Sequence, residues 1–331
     1  MKRVLAWAFG ILALALIATI VFVELRNRSG AHKAEAEFAA HEPSPIGDFG
    51  TTQTLSILPL IDWHTSGPEL RGEMGVSYLI ETDDHRILFD VGQNTMQESP
   101  SPLELNMKEL GVALDTVDTV FISHNHFDHV GGRQRQKDRT FSVGLEQVPL
   151  PSVRAFVPIP MTYPGLSPIH AGEPTRVSEG VASTGTIPRQ LVFGWIDEQA
   201  LVVNVADRGA VLIVGCGHQT IPKLLERYDQ VFGEPLYGIV GGLHFPVPEG
   251  RLKVLGLNAQ RILASGTGMF SPITMDDVKE DMNELRERNL RLIGVGGHDS
   301  SDEVIAMFSD TFGDAYRHIR VGERILVGSP E

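Results

Sequence analysis

The sequence predicts an α/β protein: a four-layer αββα sandwich preceded by a single N-terminal transmembrane helix. Two observations carry this expectation. An order of hairpin, helix, strand and histidine-bearing loop occurs twice, once up to His124–His129 and once up to His244. The chain also opens with an unbroken apolar run, Val4–Val23. Two such units pair sheet on sheet to bury their apolar faces and leave their helices outside.

The 331 residues are 42% hydrophobic and 21% charged, an ordinary globular composition that can bury a large core. A formal net charge of −14 argues against a phosphate-backbone partner, for which a basic footprint would be expected. No nucleic acid is therefore expected, and the partner is a small-molecule substrate. The single cysteine, Cys216, excludes an intrachain disulfide.

Lys2 and Arg3 precede the run Val4–Val23, and about 20 apolar residues suffice to span a bilayer. A cleaved signal peptide has a shorter apolar region and a small-x-small site after it. Ile20-Val21-Phe22-Val23-Glu24-Leu25 offers no such site. Residues 1–26 thus read as an uncleaved membrane anchor. The expected orientation has a cytoplasmic N-terminus and the domain on the periplasmic side of a bacterial inner membrane, although Arg26, Arg28 and Lys33 oppose Lys2 and Arg3. Residues 27–52 are polar, with no apolar periodicity, and read as a linker in which His32 and His41 are solvated.

Residues 53–331 form the expected catalytic domain. Leu55–Ile61 reads as a strand, and Val76–Glu81 and Arg86–Asp90 as a hairpin turning at Thr82–His85. Ser101-Pro102-Leu103-Glu104 opens a helix with a capping box and ends at Gly111. Thr119–Ser123 is the next strand. In the second half Leu201–Val205 and Ala210–Val214 form a hairpin, Ile221–Val231 a helix and Tyr237–Val240 a strand. A helix from Thr274 to about Asn289, a strand Leu290–Val295, a helix Asp302–Phe312 and a strand Ile325–Val327 complete the chain. Between the halves, residues 133–189 are rich in Pro and Gly and read as an insertion lying over the site mouth, with His170 a solvated loop residue.

The chemistry is concentrated in Ser123-His124-Asn125-His126-Phe127-Asp128-His129. Alternate side chains of a strand end share a face, so His124 and His126 point together, and the turn that follows brings Asp128 and His129 to the same point. Imidazoles and a carboxylate at this density are ligands for a borderline metal such as zinc.

His-x-His-x-Asp-His resembles the signature of the metallo-β-lactamase fold superfamily. Glu73–Ser77, Ile87–Gln93, Thr184–Arg189, Val214–His218 and Gly241–His244 follow in the order seen in the branch of metal-dependent hydrolases related to the archaeal dihydropterin (ribofuranosylaminobenzene phosphate) synthase. The resemblance runs from about Leu55 to the C-terminus. It implies the same αββα sandwich, one or two zinc ions, and His218 and His298 as further ligands. In the ligand set so implied, His124, His126 and His218 hold one ion, and Asp128, His129 and His298 hold the second. The bridging aspartate usual after the fourth ligand is absent: Asp229, Asp276, Asp277 and Asp281 all fall in helical text. His244 stands in its place, as a ligand or a proton shuttle. Met74 and the pair Asp299-Ser300 also depart from the branch, which often shows histidine and Cys-Thr there.

The expected function is zinc-dependent hydrolysis of an ester-, lactone- or phosphoester-like bond. Zinc lowers the pKa of bound water to about 7, with Asp128 as the orienting group or general base. Asp90, at a strand end beside the motif, is either an acceptor behind a ligand imidazole or a turn cap. Cys216 reads as a small apolar thiol packed at a strand end. Two further readings remain: a dihydropterin-synthase-like transferase, which needs stacking aromatics converging at the mouth, for which Phe141, Phe156 and Tyr163 are too few and too scattered to decide, and a metal-dependent sensor without turnover.

Overall fold

The computed structural model describes residues 2–328. The elements in chain order are α1 Lys2–Ala40, β1 Leu55–Ile61, β2 Ser77–Glu81, β3 Arg86–Phe89, α2 Pro102–Glu109, β4 Thr119–Phe121, α3 Arg133–Asp138 and β5 Arg154–Val157. There follow β6 Ile169–His170, β7 Thr175–Ser178, β8 Val181–Ser183, β9 Ile187–Leu191, β10 Gly194–Glu198, β11 Leu201–Val205, β12 Gly209–Val214, α4 Ile221–Val231 and β13 Leu236–Gly241. The last are β14 Lys253–Val254, β15 Leu257–Asn258, α5 Ala259–Ala264, α6 Met275–Glu287, β16 Leu292–Val295, α7 Asp302–Phe312, β17 Tyr316–His318 and β18 Ile325–Val327.

Two seven-stranded sheets result, in the orders β18-β1-β2-β3-β4-β5-β6 and β17-β16-β13-β12-β11-β8-β7. Strand alternation splits their apolar side chains among three cores. On β11 and β12, Leu201, Val203, Val211 and Ile213 face the other sheet, where they meet Ile57, Tyr78, Phe89 and Phe121. Val202, Leu212 and Val214 face outward onto Leu224 and Tyr228 of α4, Val278 and Leu285 of α6 and Phe308 of α7. Beyond the first sheet, Leu79, Leu88 and Val120 pack on Leu103 and Met107 of α2. Three cores between four layers are the expected sandwich. The expected strands and helices recur within about two residues, and the Ser101 capping box forms as read.

The expected insertion at 133–189 is corrected. These residues include α3 and strands of both sheets: β5 and β6 pair parallel beyond β4, and β7 and β8 extend the second sheet beyond β11. Their Pro and Gly residues mark turns between short strands rather than one long loop. His170 is exposed on edge strand β6, with Nε2 3.0 Å from the Pro158 carbonyl oxygen.

The polar linker at 27–52 is corrected in part. Residues 27–40 continue α1, and only residues 41–54 lack regular structure. Glu24, Asn27, Ala34 and Phe38 are buried, a helical spacing that lays one face of α1 along β9. The face is made of small and polar residues with a single Phe, so no apolar stripe reveals it in the sequence. Gly30 lies on it, and a Cβ there would overlap the Gln190 side chain. Lys223 Nζ donates to Glu35 at 2.7 Å, tying α1 to α4.

The apolar half of α1 does not join this packing. Trp7, Phe9, Leu12, Leu14 and Phe22 are all at least 66% exposed. The helix holds a window long and apolar enough to cross a membrane, of which 6% is buried in the protein, so it is not a core helix. The side chains of Lys2 and Arg3, on which the expected orientation rests, lie outside those described.

Phe121 is fully buried between the sheets and stacks on Phe89 with ring centroids 5.5 Å apart. Phe121→Ala should therefore cost about 3–5 kcal/mol of stability, read as a lower denaturation midpoint with an unchanged slope in urea. A midpoint equal to wild type would contradict the packing of β4 against the second sheet.

Candidate metal centre

The site lies where the parallel strands of both sheets end, the position at which open α/β sheets bind their ligands. In the second sheet Val214 is abreast of Gly241, and Gly241 of Val295. The loops carrying His218, His244 and His298 therefore leave the sheet side by side. Close approach is possible because of glycine: a Cβ on Gly242 would stand 2.6 Å from the His298 ring, and one on Gly217 2.7 Å from the Gly242 carbonyl oxygen. From the facing sheet, the turn after β4 delivers His124, His126, Asp128 and His129.

The rings converge. His124 lies 4.7 Å from His126 and 5.1 Å from His218 between centroids, and His126 lies 5.0 Å from His218. Their ligand nitrogens all fall within 4.8 Å of one another. The His124, His126 and His218 set expected for one ion is thus brought together. The second set, Asp128, His129 and His298, assembles differently. His129 and His298 both face Cys216, with Nε2 to Sγ distances of 3.1 and 3.2 Å. Asp128 approaches His129 Nε2 only to 4.0 Å. Asp299 Oδ2 instead stands 3.5 Å from both His298 Nε2 and His244 Nδ1.

Two residues were therefore misplaced by sequence reasoning. Cys216, read as packing, sits at the centre of the cluster, grouped with His124 and His129, with His218 and His244, and with His298 and Asp299. Asp299, noted only as a departure, supplies the carboxylate that no strand end provides. The signal available was Cys216 two residues before His218, on the same side of one short glycine loop.

A buried carboxylate anchors each ligand loop. Asp90, held at φ 54°, accepts from the Ser123 N–H at 2.7 Å and from the Ser123 hydroxyl at 2.6 Å, and lies 2.6 Å from His129 Nδ1. It both caps the turn and sets the His129 ring, so the two alternatives read from sequence coexist. Glu198 accepts from the N–H groups of Cys216, Gly217 and His218 at 2.9–3.0 Å. Asp62 accepts from Gly297 N–H at 2.8 Å, and Asp299 from His244 N–H at 3.1 Å. Glu198 and Asp62 went unread in the sequence, because an acid at a strand end looks like any other turn residue.

Electrostatics suit a cation. Burial, reinforced by neighbouring histidines, pushes His124 and His218 well below the usual imidazole range, His126 to about 3 and His298 to about 4. These rings keep free lone pairs at neutral pH. Burial raises Glu198 and Asp62 to about 7 despite their N–H partners. Burial alone would lower His129, but the Asp90 and Asp128 carboxylates lift it to about 9. The donor set fits a metal on a second ground: His124 Nε2, both nitrogens of His218 and of His244, and His298 Nδ1 are buried without a hydrogen-bond partner. Such groups are costly to bury unless something engages them.

A cavity of about 860 Å³ opens over the cluster. Its floor includes His126, Asp128, Cys216, His218 and His244, and its walls include Phe193, Trp195, Val254 and Leu263. Phe141, Phe156 and Tyr163, too few and too scattered in the sequence to decide a pterin pocket, are buried in the cores.

Comparison with known proteins accords with this geometry. The family model of the metallo-β-lactamase superfamily matches residues 70–140, from before β2 through the His-x-His-x-Asp-His turn. A crystal structure of a metal-dependent hydrolase of the β-lactamase superfamily superposes with a TM-score of 0.54 at 18% identity, covering 83% of this chain and all of that one. Over residues 70–140 the chain thus matches the metallo-β-lactamase superfamily, and it shares the fold of that solved hydrolase. By sequence the chain is 23% identical over 260 residues to the 7,8-dihydropterin-6-methyl-4-(β-D-ribofuranosyl)-aminobenzene-5′-phosphate synthase of Methanocaldococcus jannaschii, a match covering 64% of this chain and 87% of the synthase. An uncharacterised protein of the same archaeon is 24% identical over 216 residues, covering 56% of this chain and 77% of its own.

The protonation states give a test. At pH 7.5 metal-free His129 is protonated and Cys216, raised well above the usual thiol range by burial, is neutral, whereas His124, His126, His218 and His298 are already neutral and can bind through a free lone pair without releasing a proton. Filling the site with zinc should release the His129 and Cys216 protons, together with the share that a zinc-bound water gives up near neutral pH, measured from the buffer dependence of the binding enthalpy. Cys216→Ala should release about one fewer. Release that does not change in the variant would show that the thiol stays protonated.

Proposed function

We propose that the protein is a membrane-anchored, zinc-dependent hydrolase acting on an ester-, lactone- or phosphoester-like bond of a small molecule. The carrying observation is the convergence of His124, His126 and His218, with His124 Nε2 and both His218 nitrogens buried and unpartnered, and with His126 and His218 on the floor of a cavity that Asp128 also lines. Zinc bound there would supply Lewis acidity and a water acidic enough to be deprotonated near neutral pH. His124, His126 and His218 would hold one ion, and His129, His298 and Cys216, with Asp128 or Asp299, a second.

The protein's own groups then divide the proton work. Asp128, on the cavity floor beside His129, orients the attacking water and accepts its proton. Burial raises the Asp128 carboxyl, while His129 draws it back down; bound cations act in the same downward direction. His244 lines the cavity 4.3 Å from His218 between ring centroids, and Asp299 both accepts from its N–H and flanks its Nδ1. That geometry suits protonation of the leaving group. The walls of Phe193, Trp195 and Leu263 hold the substrate and exclude water. Asp90, Glu198 and Asp62 position ligand loops without touching the substrate.

The exposed apolar half of α1 supports the anchor; the domain's place on the periplasmic side of a bacterial inner membrane rests on the sequence alone. A complete set of donors supports turnover over a sensor role, since a binding protein has no need of Asp128 on the cavity floor.

His126→Ala should remove most bound zinc, while His244→Ala keeps at least one ion per chain. Asp128→Asn should keep the fold and the zinc on the three histidines, yet lose at least about 10²-fold in turnover on an ester and phosphoester panel. Undiminished turnover by the Asn variant would sink the role of Asp128, and an inert, zinc-loaded wild type would favour the sensor.

A further inference from the structure

The exit of α1 from the domain and the rim of the cavity are built from the same loops. Arg26 Nη2 donates to the Val192 carbonyl at 2.8 Å, at the tip of the β9–β10 hairpin. Asn27 Nδ2 donates to the Thr267 carbonyl at 2.9 Å, and Glu24 accepts from the Met269 N–H at 3.1 Å. The hairpin tip and the loop Gly266–Ser271 thus clasp α1 at residues 24–27. Within one turn of that clasp, towards the N-terminus, the helix becomes unbroken apolar surface with Val21 and Phe22 exposed.

Each clasping loop carries an exposed aromatic at that level: Phe193 is 56% and Phe270 66% exposed. The neighbouring β14–β15 hairpin adds Leu255, 98% exposed, and Val254, 52% exposed. Phe193 and Val254 also line the cavity, so this apolar rim is the mouth of the site. Single exposed apolar residues need no explanation. Several grouped around one opening mark an interaction surface. Here the partner's chemistry follows from α1. Loops hydrogen-bonded to the helix where its charged text, Glu24, Arg26 and Arg28, gives way to apolar text lie within a turn of the plane at which it would enter a bilayer, since each residue rises about 1.5 Å. Arg26 and Arg28 are placed to meet headgroups while aromatic and aliphatic tips enter the interfacial layer.

We infer that the cavity mouth rests on the membrane surface, with Phe193, Phe270 and Leu255 in the interfacial layer, and that the substrate is an amphiphile drawn from the bilayer. Its apolar chain would lie along Phe193, Val254 and Leu263, and its polar head, carrying the bond to be cleaved, would reach the histidine cluster. The substrate part of the inference rests on the hydrolase and anchor readings above.

The test uses the full chain in nanodiscs of phosphatidylcholine and phosphatidylglycerol. Cys216 is buried, so a cysteine introduced by Phe193→Cys, Leu255→Cys or, as a control beyond the N-terminal end of β4, Asp115→Cys takes an environment-sensitive NBD label selectively. Labels at 193 and 255 should be blue-shifted and strongly quenched by lipid doxylated near the headgroup, and the label at 115 should not. Equal quenching at all three positions would overturn the membrane-facing mouth. Leu255 is nearly fully exposed, so its variant keeps the test informative if Phe193→Cys fails to fold. A second arm needs no turnover: in cobalt-loaded nanodiscs, a twelve-carbon acyl hydroxamate should perturb the cobalt spectrum at a concentration at least about tenfold lower than acetohydroxamate. Phe193→Asp should abolish that preference. No preference for the long chain in wild type would overturn the amphiphilic substrate, whereas lack of hydrolysis alone would count only against the hydrolase reading.

Discussion

The structure depends on buried carboxylates that accept backbone N–H groups at the ends of parallel strands. Asp90, Glu198, Asp62 and Asp299 each hold one histidine loop. A buried carboxylate is tolerated only when hydrogen bonds or positive charge compensate it. Here the N–H groups provide part of that compensation, and Glu198 and Asp62 remain raised to about 7. The residual negative potential surrounds a group of histidines that burial keeps neutral. One arrangement therefore fixes ligand geometry and makes the centre favourable for a dication.

The same loops give the centre its asymmetry. His124, His126 and His218 form an all-nitrogen set, while Cys216 and Asp299 stand among His129, His244 and His298. Sulfur and carboxylate donors on one side and imidazoles on the other would give two ions of different character. The cavity walls come largely from the β9–β10 hairpin and the segment around α5, elements outside the two seven-stranded sheets. Scaffold and recognition surface are thus separable, which is how one sandwich can serve many substrates.

Much of this was legible in the sequence because the relevant signals are local. Period-two strands, the Ser101 capping box and the density of His124–His129 all report on a few neighbouring residues. Signals spread across the chain were not. The docking face of α1 is made of Asn27, Gly30 and Ala34, small residues that carry no apolar periodicity, so residues 27–40 read as a tether. Residues 133–189 read as an insertion because their strands are only two to five residues long and are separated by Pro- and Gly-containing turns. Cys216 and Asp299 acquire a role only once β12, β13 and β16 stand in register, and no spacing in the sequence shows that register.

The most direct test of the account is anomalous diffraction at the zinc edge from crystals of the zinc-loaded protein. An ion bonded to His124, His126 and His218 at about 2.0–2.1 Å, with any second ion touching Cys216, His129 or His298, is the expected result. Zinc found only at surface histidines such as His32 or His170, with the buried cluster unbonded, would contradict it.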